Sequence, residues 1–131
     1  MGGETDLDIL LKNMKPELRA GEFVFCTTKG PIKGLSPLCQ FIEDEGVTLI
    51  LRREEAEAAG LPYSYKARMI TLHIHSSLEA VGFLAAISAR LAAAGMSVNP
   101  VSAYYHDHLF IPADKAEEAM KILNQFSENH V

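Results

Sequence analysis

The sequence predicts an α+β fold, a small sandwich of antiparallel sheet and helices, and three observations predict it. Read by hydrophobic period alone, residues 68–126 run β-α-β-β-α. Shifted by 60 positions, Thr48-Leu49-Ile50-Leu51-Arg52-Arg53-Glu54-Glu55-Ala56-Glu57 overlays His108-Leu109-Phe110-Ile111-Pro112-Ala113-Asp114-Lys115-Ala116-Glu117, so the strand-then-helix unit occurs twice. The identity is thin, and an ordinary coincidence of two βα units is the competing explanation. The composition, 48% hydrophobic and 22% charged over 131 residues, is that of a globular chain with room for one domain or two small subdomains.

Taken in order, residues 6–14 place Leu7, Leu10, Leu11 and Met14 at helical spacing, with Asp6 as N-cap. Residues 22–28 are β-rich and short, hence a strand. Two glycines and two prolines make residues 29–37 a loop. The acidic Glu43-Asp44-Glu45-Gly46 suits a turn between strands at 38–42 and 47–51, with a short helix over 37–44 as the rival. Residues 53–59 form a helix stopped by Gly60 and Pro62.

The second half is more regular. Residues 68–75 alternate, with Ile70, Leu72 and Ile74 on one face and Thr71, His73 and His75 on the other. A helix over about 80–94 uses Leu84, Ile87, Leu91 and Ala94 as its core stripe. Its alanines 85, 89, 92 and 93 leave a smooth second flank, and Gly95 stops it. Strands at 97–104 and 108–111 surround Tyr105-His106-Asp107. A last helix begins at Asp114 with Glu117 as a capping box and buries Ala116, Ala119, Met120, Leu123 and Phe126. No residues remain for a final strand, so the open edge of this sheet requires cover, either from residues 22–28 or from a partner chain.

Composition excludes several functions. A net charge of −5 argues against nucleic acid as the partner. No apolar run approaches the ~18 residues of a membrane span, and the start lacks the basic and apolar regions of a signal peptide. Cys26 and Cys39 sit in apolar contexts without C-x-x-C spacing, which reads as free thiols of a reduced, cytoplasmic compartment. No cofactor motif is present: the loop Lys29-Gly30-Pro31-Ile32-Lys33-Gly34 is not a P-loop, and Ser76-Ser77 has no assigned base.

Histidine is the tempting signal, as His73-x-His75 and His106-x-His108. Two histidines at i, i+2 share a strand face, as a metal site can use. With the first and third strands taken as parallel neighbours, however, a strand of roughly 17–20 Å separates the pairs. Partly exposed histidines on a sheet face are then the expectation, and no metal. The segment with most promise is His75-Ser76-Ser77-Leu78-Glu79-Ala80-Val81-Gly82, which joins a strand to a helix start. There the outward N–H groups and the helix dipole favour an anion. Plain serine capping explains the two serines equally well.

These residues carry a resemblance. Ser77 to Ala85, Leu91-Ala92, Gly95-Met96-Ser97-Val98 and His108-Leu109-Phe110-Ile111-Pro112 resemble an ACT domain over residues 68–126. The first half is similar to the divergent N-terminal ACT of a bacterial tandem-ACT family. The whole looks like the ACT repeats of cytosolic arginine sensors and of aspartate kinase regulatory domains. The resemblance implies a ferredoxin-like βαββαβ sandwich with two ACT-like repeats, residues 1–66 and 67–131, packed as one rigid unit.

It also implies a regulatory, non-enzymatic protein that binds an amino acid or other small metabolite at the loop after the first strand, and a homodimer. Carried onto this chain, the loop positions are Ser76, Ser77, Val81 and Gly82. Glu79 or Asp107 is the acceptor for an amino group. The chain departs from the family in having Val81 where proline precedes the loop glycine, and no Asp or Asn directly before the loop. Two rival functions stand beside this one: a ligand-free oligomerising module, and a metal-dependent enzyme using the histidine pairs.

Overall fold

A computed structural model describes residues 3–129; Met1-Gly2 and residues 130–131 lie outside the described residues. In chain order the elements are α1 (Leu7–Asn13), β1 (Pro16–Leu18), β2 (Phe23–Thr28), β3 (Cys39–Ile42), β4 (Val47–Arg52), α2 (Arg53–Ala58), β5 (Lys66–Leu72), α3 (Phe83–Ala93), β6 (Asn99–Ser102), β7 (Asp107–Pro112) and α4 (Ala116–Asn129). They form two compact units, one of Met1–Arg19 with Arg68–Val131 and one of Ala20–Ala67. Among the described residues no helix is long and apolar enough to cross a membrane.

In the larger unit the strand order is β1-β5-β7-β6. β5 contributes Ile70 and Leu72 to a core completed by Leu109 and Ile111 of β7 and by the helices. From α3 come Phe83, Ile87 and Leu91, and from α4 come Ala116, Ala119, Leu123 and Phe126. These helix positions recur at three- and four-residue spacing, the stripe a helix needs to lie on a sheet. α1 adds Leu10, Leu11 and Met14. Its N-cap is Asp6, whose carboxylate accepts from the Ile9 N–H at 3.1 Å.

The edge left open by the missing final strand is covered from within the chain. β1 pairs antiparallel with β5, setting Pro16 opposite Leu72, Glu17 opposite Thr71 and Leu18 opposite Ile70. This corrects the expectation that residues 22–28 cover that edge. Within β2, Phe23 and Val24 pair instead with Ala67 and Lys66, inside the smaller unit. α1 and β1 thus complete a repeat whose other elements begin at residue 68, with the smaller unit inserted between in the chain.

In the smaller unit β3, β4 and β2 lie side by side, and α2 packs on β2 and β4. Its core holds Val24, Cys26, Leu49, Leu51 and Ala56. Residues 38–51 form the hairpin, not the rival helix. The duplication holds in detail, because Cys39↔Ile50 and Gln40↔Leu49 recur 60 residues later as Asn99↔Phe110 and Pro100↔Leu109. The repeats differ in one element: residues 29–38 carry no helix where the other repeat has α3.

Two local expectations shift. α3 begins at Phe83, after Gly82 in the left-handed region at φ 91°, not near residue 80. Asp114 makes no capping hydrogen bond; Ala113–Lys115 form a 3₁₀ turn that leads into α4. The turn begins immediately after Pro112, which takes the N-cap position at ψ 135° and has no side-chain acceptor to offer.

Candidate functional site

β5 ends at Leu72, and residues 73–82 carry the chain to α3. The loop is tightly bent. The Ile74 N–H donates to the Leu72 carbonyl and the Ser76 N–H to the Ile74 carbonyl, each at 2.9 Å. Further along, the Ala80 N–H donates to the Ser77 carbonyl at 3.0 Å and the Glu79 N–H to the Ser77 hydroxyl at 3.0 Å. Gly82 closes the loop, and its positive φ is one that L side chains adopt at a cost.

A cavity of about 150 Å³ opens between this loop, the start of α3 and the mouth of the β6–β7 hairpin. Ser76, Ser77 and Gly82 line it from the loop, and Ser102 and Asp107 from the hairpin, where they pair across the two strands. Leu78, Leu84 and Ala85 give it an apolar wall. Asp107 is buried at 6% exposure and Ser76 at 8%, and the Ser76 hydroxyl donates to Asp107 Oδ2 at 2.9 Å. The same cavity is lined by the start of α3, a helix start with no side-chain cap hydrogen bond. The first N–H groups of a helix have no partner within it, and they carry the positive end of its dipole. The cavity therefore holds one group that attracts a cation and another that attracts an anion.

Of the residues singled out from the sequence, Ser76, Ser77, Gly82 and Asp107 come together around this cavity. Glu79 and Val81 do not line it: both are exposed, Val81 at 83%. Ser102 and the apolar wall were not foreseen. The signal for Ser102 was the hairpin register, which sets it opposite Asp107.

The histidines require a correction. The His73 and His106 rings lie 5.2 Å apart and those of His106 and His108 6.4 Å apart. Thr71 Oγ1 is 3.0 Å from His108 Nδ1. Residues that ascend β5 thus meet residues that descend β7, so these neighbours run antiparallel and the two pairs share one end. The parallel assumption had separated them. Among the described residues, however, no group of three or more His, Cys, Asp or Glu is placed to hold a metal ion. His73 Nε2 instead faces the Glu17 carboxylate at 2.5 Å. His75 contacts the Tyr104 and Tyr105 rings at 6.1 and 5.4 Å beside the cavity mouth.

Comparison with solved structures returns a Vibrio cholerae protein of unknown function, described as a possible transport protein. It is 45% identical, with a TM-score of 0.85 over 92% of this chain and 95% of that one. An Agrobacterium tumefaciens protein is 12% identical with a TM-score of 0.71, covering 86% of this chain and 87% of that one. The regulatory subunit of aspartate kinase from Thermus flavus is 12% identical with a TM-score of 0.63, covering 85% and 95%. The last two likenesses speak for the fold alone. No curated protein matches. Residues 2–68 match the ACT domain and residues 64–125 match it again. With the ferredoxin-like strand orders and the duplicated hairpin, this places the chain in the ACT-domain family.

Proposed function

We propose that this chain is a regulatory protein of the cytoplasm, without catalytic activity of its own, that binds a free amino acid in the cavity between residues 76–85 and the β6–β7 hairpin. ACT domains generally bind amino acids for regulation. The observation that carries the reading is the buried Asp107, held by Ser76, on the wall of a cavity that the uncapped start of α3 also lines. An α-amino acid is a zwitterion. Its ammonium group suits Asp107, and its carboxylate suits the N–H groups of Phe83, Leu84 and Ala85. Leu78, Leu84 and Ala85 leave apolar surface for a side chain.

The test is a thermal-shift screen against the twenty standard amino acids, followed by calorimetry. A ligand at 100 times its Kd stabilises by about 2.7 kcal/mol. Asp107→Asn keeps the shape of the wall and removes the charge, and is expected to weaken binding by about tenfold or more. A chain that no amino acid stabilises, or an Asp107→Asn variant that binds as tightly as the unaltered chain, overturns the reading.

A further inference from the structure

The cavity loop is held from outside its own strand–helix connection. The Glu4 N–H donates to the His75 carbonyl at 2.8 Å, and the Glu4 carbonyl accepts from the Ser77 N–H at 2.9 Å. The two bonds flank Ser76, the residue whose hydroxyl holds Asp107, in an isolated parallel bridge. Gly3 makes this approach possible: a Cβ there would lie 1.9 Å from the His75 carbonyl oxygen and 2.5 Å from its carbon, both rigid backbone atoms. At the other end of the loop, the Leu7 side chain lies 3.6 Å from the place a Cβ on Gly82 would take.

Residues 3–7 therefore brace the loop near both ends, and they are themselves anchored. The Glu4 carboxylate accepts from the Thr5 and Asp6 N–H groups at 3.1 and 3.0 Å, and Asp6 caps α1. α1 then buries Leu10 and Leu11 in the core. Apart from this strap, the backbone between Leu72 and Ser76 is held by the bond from the His73 N–H to the Lys15 carbonyl at its start and, beyond that, by short bonds to residues two positions back. Such a loop samples many arrangements, and a ligand that needs one of them must bear the cost of ordering it.

We infer that residues 3–7 position the ligand site: the backbone of Glu4, admitted by Gly3, fixes Ser76 and Ser77 so that Asp107 and the α3 N–H groups face one bound molecule. The inference rests on the reading of the cavity as an amino-acid site. Coupling of this kind is reciprocal, so a ligand that uses the ordered loop strengthens the strap as much as the strap strengthens the ligand. The N-terminal segment is then the part of the chain that reports occupancy.

Calorimetric titration of the unaltered chain, Gly3→Val and Glu4→Gln with each of the twenty standard amino acids tests this, together with amide hydrogen exchange at Glu4 and Ser77. Gly3→Val is expected to weaken binding by about tenfold or more, and Glu4→Gln, which keeps the backbone pairing with His75 and Ser77, by less than Gly3→Val does. Adding the bound amino acid to the unaltered chain should slow exchange at the Ser77 amide. If Gly3→Val fails to fold, that exchange measurement still decides. Unchanged affinity in a folded Gly3→Val, or exchange at Ser77 indifferent to the amino acid, overturns the role of the strap and leaves the site reading standing. Failure of every amino acid to bind the unaltered chain overturns both.

Discussion

His108 shows how one side chain ties stability to pH. Burial pushes its imidazole below the ordinary histidine value, and the neighbouring His106, Arg19 and His73 act in the same direction. Asp107 opposes them. A folded-state value lower than the unfolded one means that the unfolded chain takes up the proton first. The stability from this group is therefore complete above the unfolded value of about 6.5 and is lost as pH falls through the folded value. Urea midpoints are expected to decline as pH drops below about 6.5, and His108→Gln should flatten that decline. An equally steep decline in the variant would assign the effect to other groups. Cys26 and Cys39 illustrate a simpler residue-level rule. They stand opposite Leu49 and Ile50, successive residues of β4 that point to opposite faces, so the two thiols are on opposite faces as well. Both are free cysteines, and burial raises the Cys26 thiol.

At the scale of elements, the turn from α1 into β1 carries a local strain that can be tested. Lys15 has φ 47°, in the left-handed region where helices normally place glycine. The conformation is held because the Lys15 carbonyl accepts from the His73 N–H at 3.3 Å. Lys15→Gly should relieve about 1–2 kcal/mol of strain, offset by the extra freedom of an unfolded glycine, for a net gain of about 0.5–1 kcal/mol. A urea midpoint that is unchanged or lower would show that the strain is not there to relieve. Long periodic elements such as α4, and the hairpin at residues 38–51, were legible in the sequence because their burial pattern is written locally. β1 was not. Three residues carry no period, and only their pairing with β5, some fifty residues on, makes them a strand. The approach of His73 to His106 was missed for a related reason: it depends on strand direction, which no local pattern records. In the candidate site, the loop serines and Gly82 stood out at a strand-to-helix junction. Their meeting with Asp107 and Ser102 is a property of the hairpin register, and Val81 and Glu79 share the segment without sharing the cavity.

For the whole molecule, the duplication sets the number of sites. At the positions 60 residues before Ser102 and Asp107 the other repeat has Ile42 and Val47, and it has no helix after its first strand. The polar wall of Ser102 and Asp107 and the start of α3 beside it have no counterpart at those positions of the other repeat, so calorimetry should return one amino acid per chain. The surface around that single cavity argues for a second copy. Leu78, Val81, Tyr104 and Tyr105 are exposed at 68, 83, 63 and 63%, and Ala85, Ala89 and Ala92 leave a smooth, solvent-facing flank on α3. Apolar residues gathered at a site mouth mark a contact surface more often than they mark solvent. A two-fold pairing through this face is self-complementary, and it would shield the charge contacts in the cavity from water. Light scattering at tens of micromolar is expected to give twice the 14.4 kDa of the chain. Val81→Asp, which sets a carboxylate on the rim without touching the core, should shift the protein toward monomer and weaken amino-acid binding with it. A monomeric unaltered chain that binds its amino acid at full affinity would show instead that the cavity is complete within one copy.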